Sequence, residues 1–195
     1  MLLTFVILYN YISQNQLSAR NIALPRRVRY SKRKTTRSTQ KDTSIRKGRT
    51  YEDFEKYLKD NPDTHIVEMD TVEGKKGGKV LLTVLFRNSK LMLAFILDDK
   101  TSNYILKVFN WLETILGNTL FEKTFPIILT DNGSEFSNPL DLEFNSEGIG
   151  TTRIFFCNPG ASYQKGALEK NHKFIRYIIP KAISMDNLTQ SDITK

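Results

Sequence analysis

The sequence predicts an α/β fold, a mixed sheet flanked by helices, with a basic N-terminal arm. Short apolar runs bounded by turn residues predict strands between residues 65 and 157. Two longer stretches with apolar residues at helical spacing predict helices that separate and follow those strands. The length of 195 residues suits one domain of ordinary size plus an arm.

The N-terminal arm differs from the rest of the chain in its high positive charge. Residues 1–50 hold 12 Lys and Arg side chains against one acid, Asp42, whereas the whole chain carries a net charge of +8. This density of positive charge indicates a polyanionic partner, most simply nucleic acid, although a solvated arm without a partner has the same composition. One cysteine and two histidines exclude an internal disulfide and a zinc finger, and they favour a reducing compartment.

No membrane partner is expected, because no apolar run reaches the length of a membrane span. Residues 1–9 are apolar but lack the basic start and cleavage site of a signal peptide. Residues 1–20 instead predict a short amphipathic helix. Residues 21–50 predict a linker, and Thr50 with Asp53 predicts a capping box at the start of a short helix.

The predicted sheet begins with a run at 65–70 that ends in an acid. The apolar runs at 80–86 and 91–97 predict an antiparallel hairpin. A helix then starts near Thr101 or Ser102 and stops at Gly117.

The second half of the predicted sheet contains two more strands, at 126–130 and 152–157, separated by a loop at 137–150. A long helix is predicted over 162–179, because apolar residues recur there at helical spacing. The stretch 187–192 predicts the start of a further helix.

Three acids stand out by position. Asp70 is expected to end the first strand, Asp131 follows a later strand, and Glu169 lies in the first turns of the final helix. Carboxylates brought together repel one another unless a cation lies between them, and oxygen ligands suit Mg²⁺ or Mn²⁺. Two such ions support displacement at phosphorus.

Each acid also has an ordinary structural explanation. Asp131 suits a turn, and Glu169 suits a solvated helix face. Glu135 is the strongest competitor for the site because it lies close to Asp131, and Glu68 shares the strand face of Asp70 and is a candidate supporting residue.

Three segments resemble the catalytic core of bacterial DDE transposases, closest to the insertion sequence 30 family and related to retroviral-type integrases. They are IVEMDTVE at 66–73, LTDNGSEF at 129–136 and CNPGASYQKGALEKNHKFIRYIIP at 157–180. The resemblance covers roughly residues 20–183, and it implies a ribonuclease H-like fold. It also implies four regions: a remnant of a DNA-binding helical region at 1–20, a basic linker and short helix at 21–60, a catalytic core at 61–183 and the start of a C-terminal region at 184–195.

The resemblance implies that Asp70, Asp131 and Glu169 are catalytic and bind Mg²⁺ or Mn²⁺. The implied chemistry is cleavage at the ends of an insertion sequence, followed by attack of a freed 3′-OH on target DNA. Its partner is double-stranded DNA, bound by a homo-oligomer in the bacterial cytoplasm and nucleoid. The expected DNA-binding residues are basic side chains of the arm and the last helix: Arg26, Arg27, Arg29, Lys32, Arg33, Lys34, Lys173 and Arg176.

The chain departs from the family in several places. The N-terminal helix-turn-helix is essentially missing, and Ala182 stands where the family commonly has Gly. A chain shortened at both ends suggests an alternative, a catalytically inactive DNA-binding remnant of a transposase. A third hypothesis is that the chain is a true ribonuclease H, but the basic arm does not favour that function.

Overall fold

The computed structural model describes residues 5–14, 16–19, 44–145 and 147–194. The chain forms two compact units, Met1–Lys41 and Asp42–Lys195. In the first unit the described helix is α1, Phe5–Ser13, which lies within the helix predicted for residues 1–20. The basic residues of the arm that we expect to bind DNA lie outside the described residues; they are Arg26, Arg27, Arg29, Lys32, Arg33 and Lys34.

The second unit contains one sheet with helices on both faces. Its strands are β1 (Ile66–Glu73), β2 (Val80–Phe86), β3 (Met92–Leu97), β4 (Ile127–Thr130) and β5 (Ile154–Phe156). Its helices are α2 (Tyr51–Asp60), α3 (Ser102–Leu116), α4 (Asn118–Thr124), α5 (Pro139–Glu143), α6 (Gly166–Ile178) and α7 (Gln190–Ile193). Among the described residues, no helix combines the length and apolarity that crossing a bilayer requires.

The strand order is β3-β2-β1-β4-β5. Strand β2 runs antiparallel to both of its neighbours, whereas β4 pairs in parallel with β1 and with β5. The prediction of a mixed α/β sheet is therefore confirmed, and so is the hairpin formed by β2 and β3. This order, in which β2 is the one antiparallel strand of the sheet, is that of the ribonuclease H-like fold.

The first strand is longer than predicted. It does not end at Asp70 but continues to Glu73, because its antiparallel partner β2 continues beside it, with Thr83 opposite Asp70. The parallel pairing with β4 stops earlier, at Glu68 opposite Leu129. Asp70 therefore lies two residues beyond the last paired position on the β4 side, which leaves that side free to contribute to a cavity.

The region after β3 is more helical than predicted. Gly117 does end α3, with φ at +72°, but a second helix, α4, follows it directly. The predicted loop at 137–150 contains α5, which begins with Pro139 at its first position. A proline there is favourable, since its missing N–H would have no partner in the first turn of a helix.

The final predicted helix is divided. A 3₁₀ turn, Ser162–Lys165, precedes α6, Gly166–Ile178. The capping box before α2 is confirmed: the Asp53 amide donates to the Thr50 hydroxyl, and the Asp53 carboxylate accepts from the Thr50 amide. The predicted helix start near residue 187 is observed as α7, with Thr189 as its N-cap.

Alternate strand positions fill two cores. On one face, β1 and β2 residues such as Met69 and Leu82 pack with Ile105 and Phe109 of α3. On the other face, Phe54 of α2 packs on Ile127, Leu129 and Phe155. Residues 184–194 extend this second face, because Met185 packs against Val72 and Leu81. Glu68 and Asp70 therefore project to the face covered by α2 and α6.

Candidate active site

A pocket of about 410 Å³ lies beside β1, at the carboxyl ends of β4 and β5. Its wall contains the three acids singled out by the sequence: Asp70 of β1, Asp131 directly after β4 and Glu169 in the first turn of α6. The segment after β5, residues 157–162, and Lys165 complete the wall. Three separate elements thus bring the three carboxylates to one cavity.

A buried lysine is paired with the first of these acids. The Lys165 ammonium lies 3.0 Å from Oδ2 of Asp70, and the two side chains are 3% and 19% exposed. The same ammonium donates a hydrogen bond of 3.2 Å to the carbonyl oxygen of Met69. Lys165 was not predicted from the sequence. It lies one helical turn before Glu169, and this spacing could have indicated that the two side chains share a face.

Thr83 holds the backbone of Asp70, and His172 lies beside them. The Thr83 hydroxyl donates to the Asp70 carbonyl oxygen at 3.1 Å and lies 2.8 Å from Nε2 of His172. Since the hydroxyl has only one proton, the neutral imidazole donates from Nε2, and its unprotonated Nδ1, 3.9 Å from Asp70 Oδ2, makes no hydrogen bond to the carboxylate. Burial lowers the pKa of His172, which keeps the ring neutral.

A short loop holds the second acid. Oδ1 of Asp131 accepts the Gly133 amide at 2.8 Å, and the Asn132 side chain donates to the Cys157 carbonyl oxygen, also at 2.8 Å. A side chain at position 133 would collide with the Glu135 carboxylate, so a larger residue there would require that carboxylate to move from its contacts. These contacts fix the loop between β4 and the segment after β5.

Glu135, the competing acid, is not part of the pocket wall. Its side chain is 1% exposed and accepts a 2.6 Å hydrogen bond from the Thr71 hydroxyl. The Lys100 ammonium lies 3.4 Å from the same carboxylate oxygen. Glu135 therefore joins β1 to the loop after β4 on the opposite face of the sheet from Asp70.

Glu68 anchors the helix that carries the third acid. Its carboxylate, 1% exposed, accepts the Leu168 amide of α6 at 2.9 Å and pairs with the Arg87 guanidinium at 2.6 Å. Arg87 also donates to the Gln164 carbonyl oxygen at 3.3 Å. Glu68 therefore connects the first turn of α6, next to Glu169, to β1, which is the kind of supporting contact considered for it from the sequence.

The two basic residues predicted on the last helix differ in their surroundings. Lys173 is exposed. Arg176 is half-buried, and one of its terminal nitrogens donates to the Glu73 carbonyl oxygen at 2.8 Å. Arg176 thus also connects α6 to the end of β1, and its other terminal nitrogen is buried without a hydrogen-bond partner among the described residues.

The pocket wall contains the donor chemistry that Mg²⁺ or Mn²⁺ requires, since three acidic residues line it. In the described part of the chain, however, no three carboxylate, imidazole or thiol groups are close enough together to hold one ion. Two of the acids have other partners in this arrangement: Lys165 pairs with Asp70, and Oδ1 of Asp131 accepts the Gly133 amide of its own loop. The residue types of the pocket wall suit a divalent cation, whereas their observed positions do not form a group of three ligands.

Comparison with known proteins gives relatives of one kind. The chain is 31% identical, over 96% of its length and 52% of the relative's, to a probable transposase for an insertion-like sequence element of Streptococcus salivarius. It is 32% identical to a putative integrase of Spiroplasma virus SpV1-R8A2 B, over 65% of this chain and 37% of that protein. The chain thus spans about half the length, or less, of the curated relatives it matches. No protein-family model matches it.

Among solved structures, the catalytic core domain of BIV integrase aligns with a TM-score of 0.41 and 21% identity, covering 56% of this chain and 65% of that one.

Proposed function

Because the chain is similar in sequence to insertion-sequence transposases and to an integrase, we propose that its second unit is a metal-dependent core that cleaves DNA strands and joins a 3′-OH to target DNA. The observation that carries the proposal is the shared pocket of Asp70, Asp131 and Glu169. The pocket opens at the end of the sheet where the strand pairing on one side of β1 has stopped.

Divalent cations held by these carboxylates would activate the attacking oxygen and stabilise the leaving oxygen at phosphorus. The chain's own part is to hold the acids in place. Asp70 is presented by β1, where Thr83 donates to its carbonyl oxygen, while Asp131 is held by its loop. Glu169 is presented by the first turn of α6, which Glu68 fixes to the sheet.

DNA binding is assigned to positive charge outside the pocket. Lys173 is exposed one helical turn after Glu169, where an ammonium can contact a phosphate close to the pocket. The basic arm at residues 20–50 supplies the larger, sequence-independent attraction to the duplex. As in the family resemblance, the active form is proposed to be a homo-oligomer on DNA.

The test is cleavage by the full chain of duplex DNA carrying the element ends, in Mg²⁺. Asp70→Asn, Asp131→Asn and Glu169→Gln should each abolish nicking while leaving DNA binding intact, and Glu55→Gln, an exposed acid on α2, should cut like the natural chain. Cleavage retained by any of the three would contradict the proposal. An RNA–DNA hybrid is offered in parallel, since cleavage of its RNA strand alone would identify a ribonuclease H.

Two observations favour a second candidate, a DNA-binding remnant without catalysis. Asp70 is already neutralised by a lysine, and no three candidate ligands among the described residues form a preassembled metal group. This candidate predicts DNA binding that weakens steeply with salt and depends on the arm, with no cleavage in Mg²⁺ or Mn²⁺. The same cleavage assay separates it from the enzyme.

A further inference from the structure

We propose that Lys165 is a built-in counter-cation, which holds Asp70 in the metal-free chain and competes with divalent metal for that carboxylate. The proposal rests on the proposed function, because it concerns the same pocket. The proposal predicts that the DNA-free chain binds divalent metal weakly, because the Lys165 ammonium occupies the Asp70 carboxylate. It also predicts that removing this positive charge strengthens metal binding.

The contacts of Lys165 hold its ammonium group inside the pocket. It lies 3.0 Å from the Asp70 carboxylate and donates to the Met69 carbonyl oxygen at 3.2 Å, with only 3% of the side chain exposed. A lysine buried to this extent requires acceptors, since an unpaired buried charge is strongly unfavourable. Both of its acceptors belong to adjacent residues of β1.

Lys165 pairs with Asp70 although it lies at the start of a helix, where a positive charge is not expected. Lys165 is the N-cap of α6, and its side chain makes no capping hydrogen bond. Positive charge is unfavourable at the amino end of a helix, where the helix dipole has its positive end. The carboxylates of the pocket, rather than the helix, therefore account for a cation at this position.

Metal and ammonium cannot both keep full contact with Asp70. A divalent ion bound to that carboxylate would lie a few ångströms from the ammonium, and like charges at such distances repel strongly in a partly buried site. Metal binding must therefore displace the Lys165 ammonium or accept that repulsion. A DNA phosphate in the pocket offers the displaced ammonium a new partner.

The first experiment measures Mn²⁺ affinity of the full chain by calorimetry, without DNA. Lys165→Gln should bind Mn²⁺ at least about tenfold more tightly than the natural chain, because one repelling charge is gone. Lys173→Gln removes the same charge from an exposed position of the same helix and should change the affinity less than about twofold. Equal affinity of Lys165→Gln and the natural chain would overturn the proposal.

The second experiment needs no variant, so it applies even if Lys165→Gln fails to fold. Amine acetylation of the natural chain is followed residue by residue by mass spectrometry, with and without Mn²⁺. Lys165 should be protected without metal and react several-fold faster with it, while Lys173 reacts equally in both. Unchanged protection of Lys165 in saturating Mn²⁺ would refute the displacement.

The two proposals fail differently. If the natural chain binds Mn²⁺ and cuts DNA but neither experiment shows competition, the inference about Lys165 is wrong and the proposed function stands. If neither the natural chain nor Lys165→Gln binds Mn²⁺, both proposals fail together.

Discussion

Replacing Glu68 with alanine tests whether the site depends on a buried anchor beneath α6. The substitution removes the carboxylate that accepts the Leu168 amide at 2.9 Å and pairs with Arg87 at 2.6 Å. An unpaired buried amide costs about 1–3 kcal/mol, and loss of a hydrogen bond to a charged group costs about 1.5–3 kcal/mol. The Arg87 side chain is 29% exposed and can be partly rehydrated, so a total of about 3–4 kcal/mol is expected.

The assay is equilibrium unfolding in urea, with Glu68→Gln and Glu55→Ala as comparisons. Glu68→Gln keeps an oxygen for the Leu168 amide and loses only the charge, so its loss of unfolding free energy should be about half that of Glu68→Ala. Glu55 is exposed on α2, and its replacement should change stability by less than about 0.5 kcal/mol. A cost below about 1 kcal/mol for Glu68→Ala would show that the anchor does not hold α6.

Three further predictions concern single positions. Ala182 has φ at +67°, where glycine is favoured, so Ala182→Gly should raise the free energy of unfolding by about 0.5–1 kcal/mol; a loss of stability in urea titration would contradict this. Thr50→Ala removes the capping box of α2 and should cost about 1 kcal/mol by the same measurement, whereas no change would mean that the cap contributes nothing. Burial raises the pKa of the Cys157 thiol to about 11, so iodoacetamide at pH 8 should modify the folded chain far more slowly than the urea-unfolded chain; equal rates would refute the inertness of this thiol.

Strong local patterns were sufficient to predict the framework of the fold. The apolar runs of β2 and β3 and the stripe of α3 each match one periodicity, and the structure has each of them at nearly the predicted bounds. The capping box at Thr50 was predictable for the same reason, because both partners lie within one helical turn.

Features set by distant contacts were not predictable. The extension of β1 to Glu73 depends on β2 continuing beside it, which no pattern within 65–73 reveals. The short helix α5 lies in a stretch read as a loop, and its Glu143 is held by Arg49, far away in the sequence. Short helices of this kind depend on tertiary contacts rather than on their own propensity.

The candidate site was predicted in outline. Asp70, Asp131 and Glu169 line one pocket, although their roles stay predictions. The side chains that hold them in place were found only in three dimensions: Lys165 and Arg87 are ordinary basic residues in the sequence, and the sheet alone brings them to carboxylates. The family resemblance pointed to the acids, but the spacing of residues did not reveal which cation neutralises Asp70.

The most direct test of the central claim, that three carboxylates of one pocket hold a divalent metal, is anomalous scattering from crystals of the chain soaked in Mn²⁺. The account predicts a Mn²⁺ peak within coordination distance, about 2–2.3 Å, of Asp70 carboxylate oxygen and shared with Asp131 or Glu169, with the Lys165 ammonium moved away. A pocket without any Mn²⁺ peak at saturating metal, with Lys165 still on Asp70, would contradict it.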